Sequence, residues 1–215
     1  SNPAAALVAF PEAVIQDPAS HLVTWYANIS PGMEVADLCA APGGKALTIA
    51  TGVRSTLAAD CSESRMRMVQ ENAKRTGVEV NCVVADAHNP PIESADAILL
   101  DVPCTGTGTL ARHPDIRWRI NPDSVSKITR VQDRLLDSAA PLVRVGGLLI
   151  YSTCTLEPEE NHSLVEGFLL RNPGFELEPS DTVDGEFLDE SGYLCVHPDK
   201  DGRDGSFAAR LRRMH

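Results

Sequence analysis

The stretch Asp37-Leu38-Cys39-Ala40-Ala41-Pro42-Gly43-Gly44-Lys45 joins an apolar run to a helix-like one. Met33 to Cys39, following a Pro31-Gly32 turn, reads as a first strand, and Lys45 to Thr51 reads as the helix behind it. Small residues at such a junction let backbone come close to a ligand, the property of a nucleotide-type loop. The spacing matches neither the Walker pattern nor G-x-G-x-x-G, so the loop alone does not select its ligand.

The same alternation continues downstream. Thr56 to Asp60 reads as a second strand, and Ser62, Glu63 and Ser64 open an amphipathic helix that stops near Gly77. Val80 to Asp86 is a third strand, and Ala95 to Val102 a fourth, broken by Pro103. A long helix is predicted from Asp123 to Arg144, ended by Gly146-Gly147, before a fifth strand from Leu148 to Thr153. Pro158 suits the first turn of a further helix, whose positive end is favoured by Glu157, Glu159 and Glu160. Phe175 to Glu178 and Phe207 to Leu211 supply the last two strands. The expected fold is α/β, a seven-stranded and mostly parallel sheet with helices on both faces. Residues 1–30, with one helix from Pro18 to Asn28, read as a leading segment packed on the core, and 31–215 as the main domain.

A chain of 215 residues suits one such domain. It contains no apolar run near the roughly 20 residues that cross a bilayer, so no membrane partner is expected. No basic, apolar leader opens it, and Ser1-Asn2 reads as a cloning remnant; the expected compartment is the cytoplasm. The net charge of −11 argues against a protein that coats nucleic acid by overall electrostatics. Two stretches are nevertheless locally basic, Arg112 to Arg119 and Arg203 to Arg213. The first offers Arg112, His113, Arg117 and Arg119 as phosphate-binding candidates, with Trp118 either a core side chain or a stacking platform.

Chemistry concentrates at the carboxyl ends of the predicted strands, where open α/β sheets bind ligands. Asp60 ends the second strand and is placed to accept from ribose hydroxyls; Asp86, ending the third, is a candidate acceptor for an adenine amino group; Asp101 ends the fourth. Single aspartates after strands also serve as helix caps, but several converging on one edge point to a ligand. Six cysteines occur, with no C-x-x-C or clustered Cys/His spacing, so no metal site is expected. Cys104 and Cys154 stand just beyond the fourth and fifth strands. If those strands are neighbours, about 4.8 Å apart, the two thiols face one pocket. Cys39 is embedded in the Gly-rich loop, Cys82 suits a small hydrophobe within a strand, and Cys61 and Cys195 belong to no constellation.

The blocks IQDPAS (15–20), DLCAAPGGK (37–45), CSESRMRMVQENAKRTG (61–77), DVPCTGTGTLARHPDIRWR (101–119), YSTCTLEPEEN (151–161) and DGSFAARLRR (204–213) occur in this order. Together they resemble the RNA 5-methylcytosine methyltransferase family of the Sun/Fmu type, from about Val14 to Arg213. The resemblance implies a class I, Rossmann-like methyltransferase sheet and S-adenosylmethionine as cofactor. The cofactor would be bound by Cys39, Ala40, Ala41, Pro42, Gly43, Gly44, Lys45, Asp60, Arg65, Asp86 and Asp101. It also ranks the thiols: Cys154 as the nucleophile and Cys104 as the group that assists product release. The residues alone leave that order open, because cytosine-5 DNA methyltransferases use a Pro-Cys thiol instead.

A thiol is needed because carbon-5 of cytosine is a poor nucleophile. Thiolate addition at carbon-6 makes an enamine whose carbon-5 can take the methyl group, dividing one difficult step into easier ones. Asp101 is the candidate to hydrogen-bond or protonate the N3 side of the ring, and Lys45 to lower a thiol pKa. The chain departs from the family at Ala46 (often Thr), Ala111 (often basic), His162 (usually Glu) and Ser206 (usually aromatic). An amino-group methyltransferase is a competing reading, weakened because Asp101-Val102-Pro103-Cys104 replaces the Asn/Asp-Pro-Pro-aromatic block of such enzymes. A non-catalytic RNA-binding or ribosome-assembly factor that retains an S-adenosylmethionine site is another, weakened by the presence of Cys154, Cys104 and Asp101 together. Ribosomal RNA is the expected substrate and transfer RNA the second choice, with a further RNA-binding domain expected outside this chain.

Overall fold

Alternate residues of Ala95–Asp101 bury on opposite sides of one sheet. Ile98 and Leu100 meet Leu136, Tyr151 and Phe168 on one face, while Ala97 and Leu99 meet Ala27, Val35, Ile49 and Ile150 on the other. A strand buried on both sides must be covered by helices on both sides, and this period of two is the physical basis of the three-layer fold. The computed structural model describes residues 3–10, 12–198 and 202–215; Ser1 and Asn2 lie outside the described residues.

The elements run α1 (Pro3–Ala9), α2 (Pro18–Ala27), β1 (Glu34–Asp37), α3 (Gly44–Ala50), β2 (Ser55–Asp60), α4 (Glu63–Thr76), β3 (Asn81–Val84), β4 (Ala95–Asp101) and α5 (Pro122–Ala139). They continue with β5 (Val143–Thr153), α6 (His162–Arg171), β6 (Phe175–Leu177), β7 (Leu194–Val196) and β8 (Ser206–Arg213). The sheet order is β3-β2-β1-β4-β5-β8-β6, with β7 also paired to β8. β1 to β5 are parallel, and β8 runs antiparallel to β5, β6 and β7. The chain therefore reverses direction of travel across the sheet between β1 and β4, and the ligand crevice of an open sheet lies at that switch point.

Local chemistry sets the boundaries. Asp17 caps α2 by accepting from the Ala19 amide at 2.8 Å, with Pro18 in the first turn. Ser62 caps α4, and Gly77 ends it at φ +70°. Asn121 and Ser124 cap α5 reciprocally. One face of α2 is buried: Ala19, Val23 and Tyr26 pack with Val183, Leu194, Val196 and Ala208.

Three expectations need correction. The long helix stops at Ala139, five residues before Arg144, because Pro141 offers no amide hydrogen and its ring crowds the carbonyl four residues back. Gly146-Gly147 ends no helix; it lies inside β5, where the pairing with β4 shifts between Ala95 and Ala97. Gly146 is at φ +77°, and a Cβ on Gly147 would fall 2.6 Å from the Asp96 carbonyl oxygen, so the pair marks a β-bulge. The Pro158 turn is a short 3₁₀ segment, Pro158–Glu160, with α6 starting at His162, and Glu160 turns into the interior instead of lying along a helix end. The three-residue β7, too short to show an alternating pattern, is an eighth strand added to the seven expected.

Candidate active site at the carboxyl edge of the sheet

β1, β2 and β4 each end in an aspartate, Asp37, Asp60 and Asp101, while Asp86 lies two residues beyond the end of β3 and is exposed. Asp60 is buried and ties down the Gly-rich loop. Its two oxygens accept from the amides of Ala41 at 3.3 Å and Ser62 at 2.9 Å. Arg65 sits 3.4 Å from Asp60 and donates to the Ala41 carbonyl, so it clamps the same loop from α4. Asp86 accepts from the amide and the ring of its neighbour His88, and these bonds hold its carboxyl below the usual range.

Beside this loop, a cavity of about 380 Å³ is lined by Cys39, Asp60, Asp86, Asp101, Cys104 and Cys154, among others. Gly43 lies at φ +109°, and a Cβ there would press on Val69 at 3.2 Å, so the backbone takes a course that only glycine follows without strain. Asp37 is buried beneath it; one oxygen accepts from the Cys39 amide at 3.2 Å and the other has no partner. Burial, helped by the nearby Asp101, pushes the Asp37 carboxyl up to about 8. Burial and Asp37 likewise push the Cys39 thiol well above the ordinary range, which makes it an inert, protonated wall of the cavity. Lys45 places its Nζ 2.7 Å from Asp101; burial alone would depress the ammonium pKa, but the carboxylate outweighs it and the pKa is raised.

The parallel pairing of β4 with β5 brings the loops after Asp101 and Thr153 side by side. Cys104 and Cys154 meet there with their sulfurs 3.1 Å apart, and the Cys154 amide points at the Cys104 sulfur at 3.3 Å. A hydrogen bond between the two sulfurs separates their acidities. The hydrogen bond from Cys104, aided by Lys45, outweighs burial and lowers the Cys154 pKa; the same bond and burial raise that of Cys104. Cys154 is exposed, and beyond the pair a second cavity of about 460 Å³ is lined by Thr109, Ile116, Arg119 and Ile128. The sulfurs thus stand between two cavities, one bounded by the Gly-rich loop and one by the 105–128 segment.

Under the two loops lies a buried polar network that the sequence does not announce. Glu160 is completely buried and accepts from the Thr105 amide at 3.0 Å, the Thr105 hydroxyl, Gln132 at 2.8 Å and Thr155 at 3.4 Å. Gln132, on α5, also donates to the Pro103 carbonyl at 2.9 Å. Asn161 accepts from Thr153 at 2.7 Å and donates to the Thr155 carbonyl at 3.0 Å. Gly108 completes the join: its amide donates to the Cys154 carbonyl at 3.0 Å, and its own carbonyl accepts from Gly205 at 2.8 Å. A Cβ on Gly108 would lie 2.7 Å from the Cys154 oxygen and 2.8 Å from the Gly205 oxygen, so the three backbones approach too closely for any side chain. The only sequence signal for Glu160 is its spacing of six from Cys154 within one block, and three glutamates there look alike.

The basic segment divides. Arg112 bridges Asp17 and Asp204, so its charge joins the segment before α2 to the turn before β8. Arg119 pairs with Asp115 on the surface. His113 and Arg117 are exposed, and Trp118 is 83% exposed, which removes the core alternative for its ring. Cys195, read from sequence as belonging to no constellation, is grouped with His162 and Asp189, which the chain separation of 33 and 6 residues concealed.

Sheet order and site position define a class I methyltransferase, in which an antiparallel strand is inserted between the fifth and sixth positions of a Rossmann-like sheet. The sequence model of the 16S rRNA methyltransferase RsmB/F family matches residues 26–212, and the chain belongs to that family. It is 37% identical to ribosomal RNA small subunit methyltransferase B of Thermus thermophilus over 201 residues, 93% of this chain and 50% of the relative. It is 38% identical to the protein of that name from Vibrio vulnificus, covering 92% of this chain and 46% of the relative. The chain thus spans about half the length of these relatives. Among solved structures it is similar to NSun6 from Pyrococcus horikoshii, determined with SFG, an analogue of S-adenosylmethionine: TM-score 0.85, 32% identity, 96% of this chain and 55% of that one. A methyltransferase homolog protein from the same organism superposes with a TM-score of 0.74 at 31% identity, covering 93% of this chain and 68% of that one. The family is one of S-adenosylmethionine-dependent methyltransferases. Among the described residues, no helix is long and apolar enough to cross a membrane.

Proposed function

We propose that this chain is the catalytic unit of an S-adenosylmethionine-dependent RNA (cytosine-5)-methyltransferase that acts on small-subunit ribosomal RNA in the cytoplasm. In this reading 31–215 form the catalytic domain, 1–30 pack on it, and RNA specificity is shared with a domain outside this chain. The observation that carries the reading is the pair of sulfurs 3.1 Å apart at the ends of neighbouring parallel strands, between two cavities. An amino-group methyltransferase has no use for two converging thiols, whereas carbon-5 chemistry needs one thiol to attack and benefits from a second at release.

The residues present fit the cofactor. The cavity beside the loop is lined by Leu38, Cys39 and Ala41, Asp60 is fixed at the end of β2 where ribose hydroxyls are recognised, and Asp37 keeps an unpartnered oxygen beneath the loop. S-adenosylmethionine, when bound there, supplies an electrophilic methyl group. Cys154, its pKa lowered by Cys104, adds as thiolate to carbon-6 of the cytosine, and the carbon-6 to sulfur bond raises the electron density at carbon-5. Asp101, which is held by Lys45 at 2.7 Å and Ser152 at 2.8 Å and lines the cavity, is the group to hydrogen-bond or protonate the N3 side of the base as charge moves onto the ring. After methyl transfer a base takes the carbon-5 proton, the carbon-6 to sulfur bond breaks, and the thiolate returns to Cys154. Cys104 assists this elimination, its raised pKa keeping it a thiol while its neighbour is a thiolate. The exposed His113, Arg117 and Trp118, with Arg119 at the rim of the second cavity, provide phosphate contacts and a stacking surface; Arg112 orders the segment through Asp17 and Asp204.

The test is to incubate the chain with labelled S-adenosylmethionine and small-subunit ribosomal RNA, then digest to nucleosides. Label in 5-methylcytidine is the expected result. Cofactor binding with label only in an amino-methylated nucleoside, or with no transfer to RNA under any condition that supports adduct formation, contradicts the proposal.

A further inference from the structure

Outside the lining of the two reaction cavities, three donors from the start of α6, β7 and the turn before it converge. His162 is the first residue of α6, Asp189 lies in the turn before β7, and Cys195 is the middle residue of β7. The His162 Nε2 is 2.6 Å from an Asp189 Oδ2, and the Cys195 Sγ is 3.8 Å from each of those two atoms. A Cys-His-Asp relay places its carboxylate and its thiol on opposite nitrogens of the ring. Here both lie on the same nitrogen, so the geometry is not that of a nucleophile with its base; it is that of three atoms turned toward one point.

We propose that His162, Asp189 and Cys195 bind a divalent transition-metal cation that accepts imidazole, carboxylate and thiolate together, zinc(II) in the first instance. Zinc bond lengths of about 2.0–2.3 Å place tetrahedral donors roughly 3.3–3.6 Å apart. The two sulfur distances of 3.8 Å already approach this spacing. The nitrogen–oxygen pair has only to open from 2.6 Å when a cation replaces the proton between them. Supporting contacts aim the ligands. The other Asp189 oxygen accepts from the amides of Ser191 and Tyr193, each at 3.0 Å, which turns Oδ2 toward the histidine. The imidazole is held edge-on by Tyr193 and Phe207, with ring centres 5.1 and 4.9 Å away. All three ligands are partly exposed, which leaves a fourth position for water. Bound metal would fasten β7 and the 189–193 turn to the start of α6.

The experiment is a cobalt(II) titration of the chain carrying Cys104→Ala and Cys154→Ala, which removes the other close thiol pair from competition. One equivalent of cobalt(II) is expected to bind with a thiolate-to-metal charge-transfer band, and zinc(II) is expected to displace it. Adding Cys195→Ser should abolish that band. Adding His162→Gln should weaken binding by more than the roughly 10–100-fold that losing a supporting hydrogen bond costs a metal site. Melting temperatures with and without zinc(II) are compared within each variant, so that a less stable variant still reports: the rise seen in the parent should vanish. No binding by the parent at one equivalent, a band that survives Cys195→Ser, or an equal zinc-induced rise in every variant overturns the proposal.

Discussion

The Gly-rich loop and the cysteine platform lie against the same cavity but are built in opposite ways. The loop at 37–45 is shaped by its own backbone: glycine at φ +109°, and an aspartate at the end of each flanking strand. The platform is shaped from below. Cys104 and Cys154 are held by Glu160, Gln132, Asn161 and the close passage of Gly108, residues drawn from two loops, α5 and the turn before α6. A binding loop needs only to admit its ligand, whereas two sulfurs 3.1 Å apart must be placed to within a fraction of an ångström. Local backbone carries most of the first, with Asp60 and Arg65 holding it from outside; tertiary packing specifies the second.

The sharpest way to break this contrast is to damage each region with one methyl group. Gly108→Ala forces a Cβ against two carbonyl oxygens of other segments, neither of them the end of a flexible side chain. It is expected to spread the thiols and cost about 100-fold in methyl transfer, the scale of a 1 Å misplacement, while cofactor affinity stays within twofold. Paired measurements of turnover and S-adenosylmethionine binding check this, and equal losses in both would merge the two regions into one.

Gly43→Ala should do the reverse and less. Its Cβ meets a valine side chain that can move, but the backbone conformation is strained. A cofactor affinity about tenfold weaker is expected, roughly 1–2 kcal/mol, with thiol reactivity at Cys154 unchanged in an alkylation assay. Altered alkylation would show that the loop also positions the platform.

The last effect touches neither turnover nor affinity and is one of slope. The folded chain keeps the Asp37 proton up to about pH 8, while the unfolded chain releases it near its ordinary value of about 4. Between those values the native state holds more protons, so stability falls as pH rises, by at most about 1.4 kcal/mol per unit for a single group. Asp37→Asn should flatten that decline in chemical-denaturation curves taken from pH 5 to 8. Parallel slopes for both proteins would place the proton elsewhere.

The contrast also explains how far the sequence could be read. The parallel β-α alternation, the strand-end aspartates Asp60 and Asp101, and the neighbouring positions of Cys104 and Cys154 all follow from short-range pattern plus sheet geometry, whereas β1 ends at Asp37, short of the expected Cys39, and β3 at Val84, two residues short of Asp86. The sequence pattern carries α5 too far because the glycine pair at 146–147 is more conspicuous than Pro141, although the proline acts first. Glu160 is not distinguishable by sequence because its surroundings come from residues 105, 132 and 155, and its neighbours Glu157 and Glu159 share its composition but not its burial. Arg112 reads as one more cation in a basic run until Asp17 and Asp204 are seen beside it. For Glu160 and Arg112 the missing information was a contact distant in sequence; for α5 it was local, in Pro141.

The central claim is that Cys154 attacks and Cys104 releases. The direct measurement is to express the wild-type, Cys104→Ala and Cys154→Ala proteins in cells and resolve them on a denaturing gel with and without nuclease. A slower, nuclease-sensitive adduct confined to Cys104→Ala is predicted, because that variant forms the carbon-6 bond and cannot undo it. An adduct confined to Cys154→Ala would contradict the account and exchange the two roles.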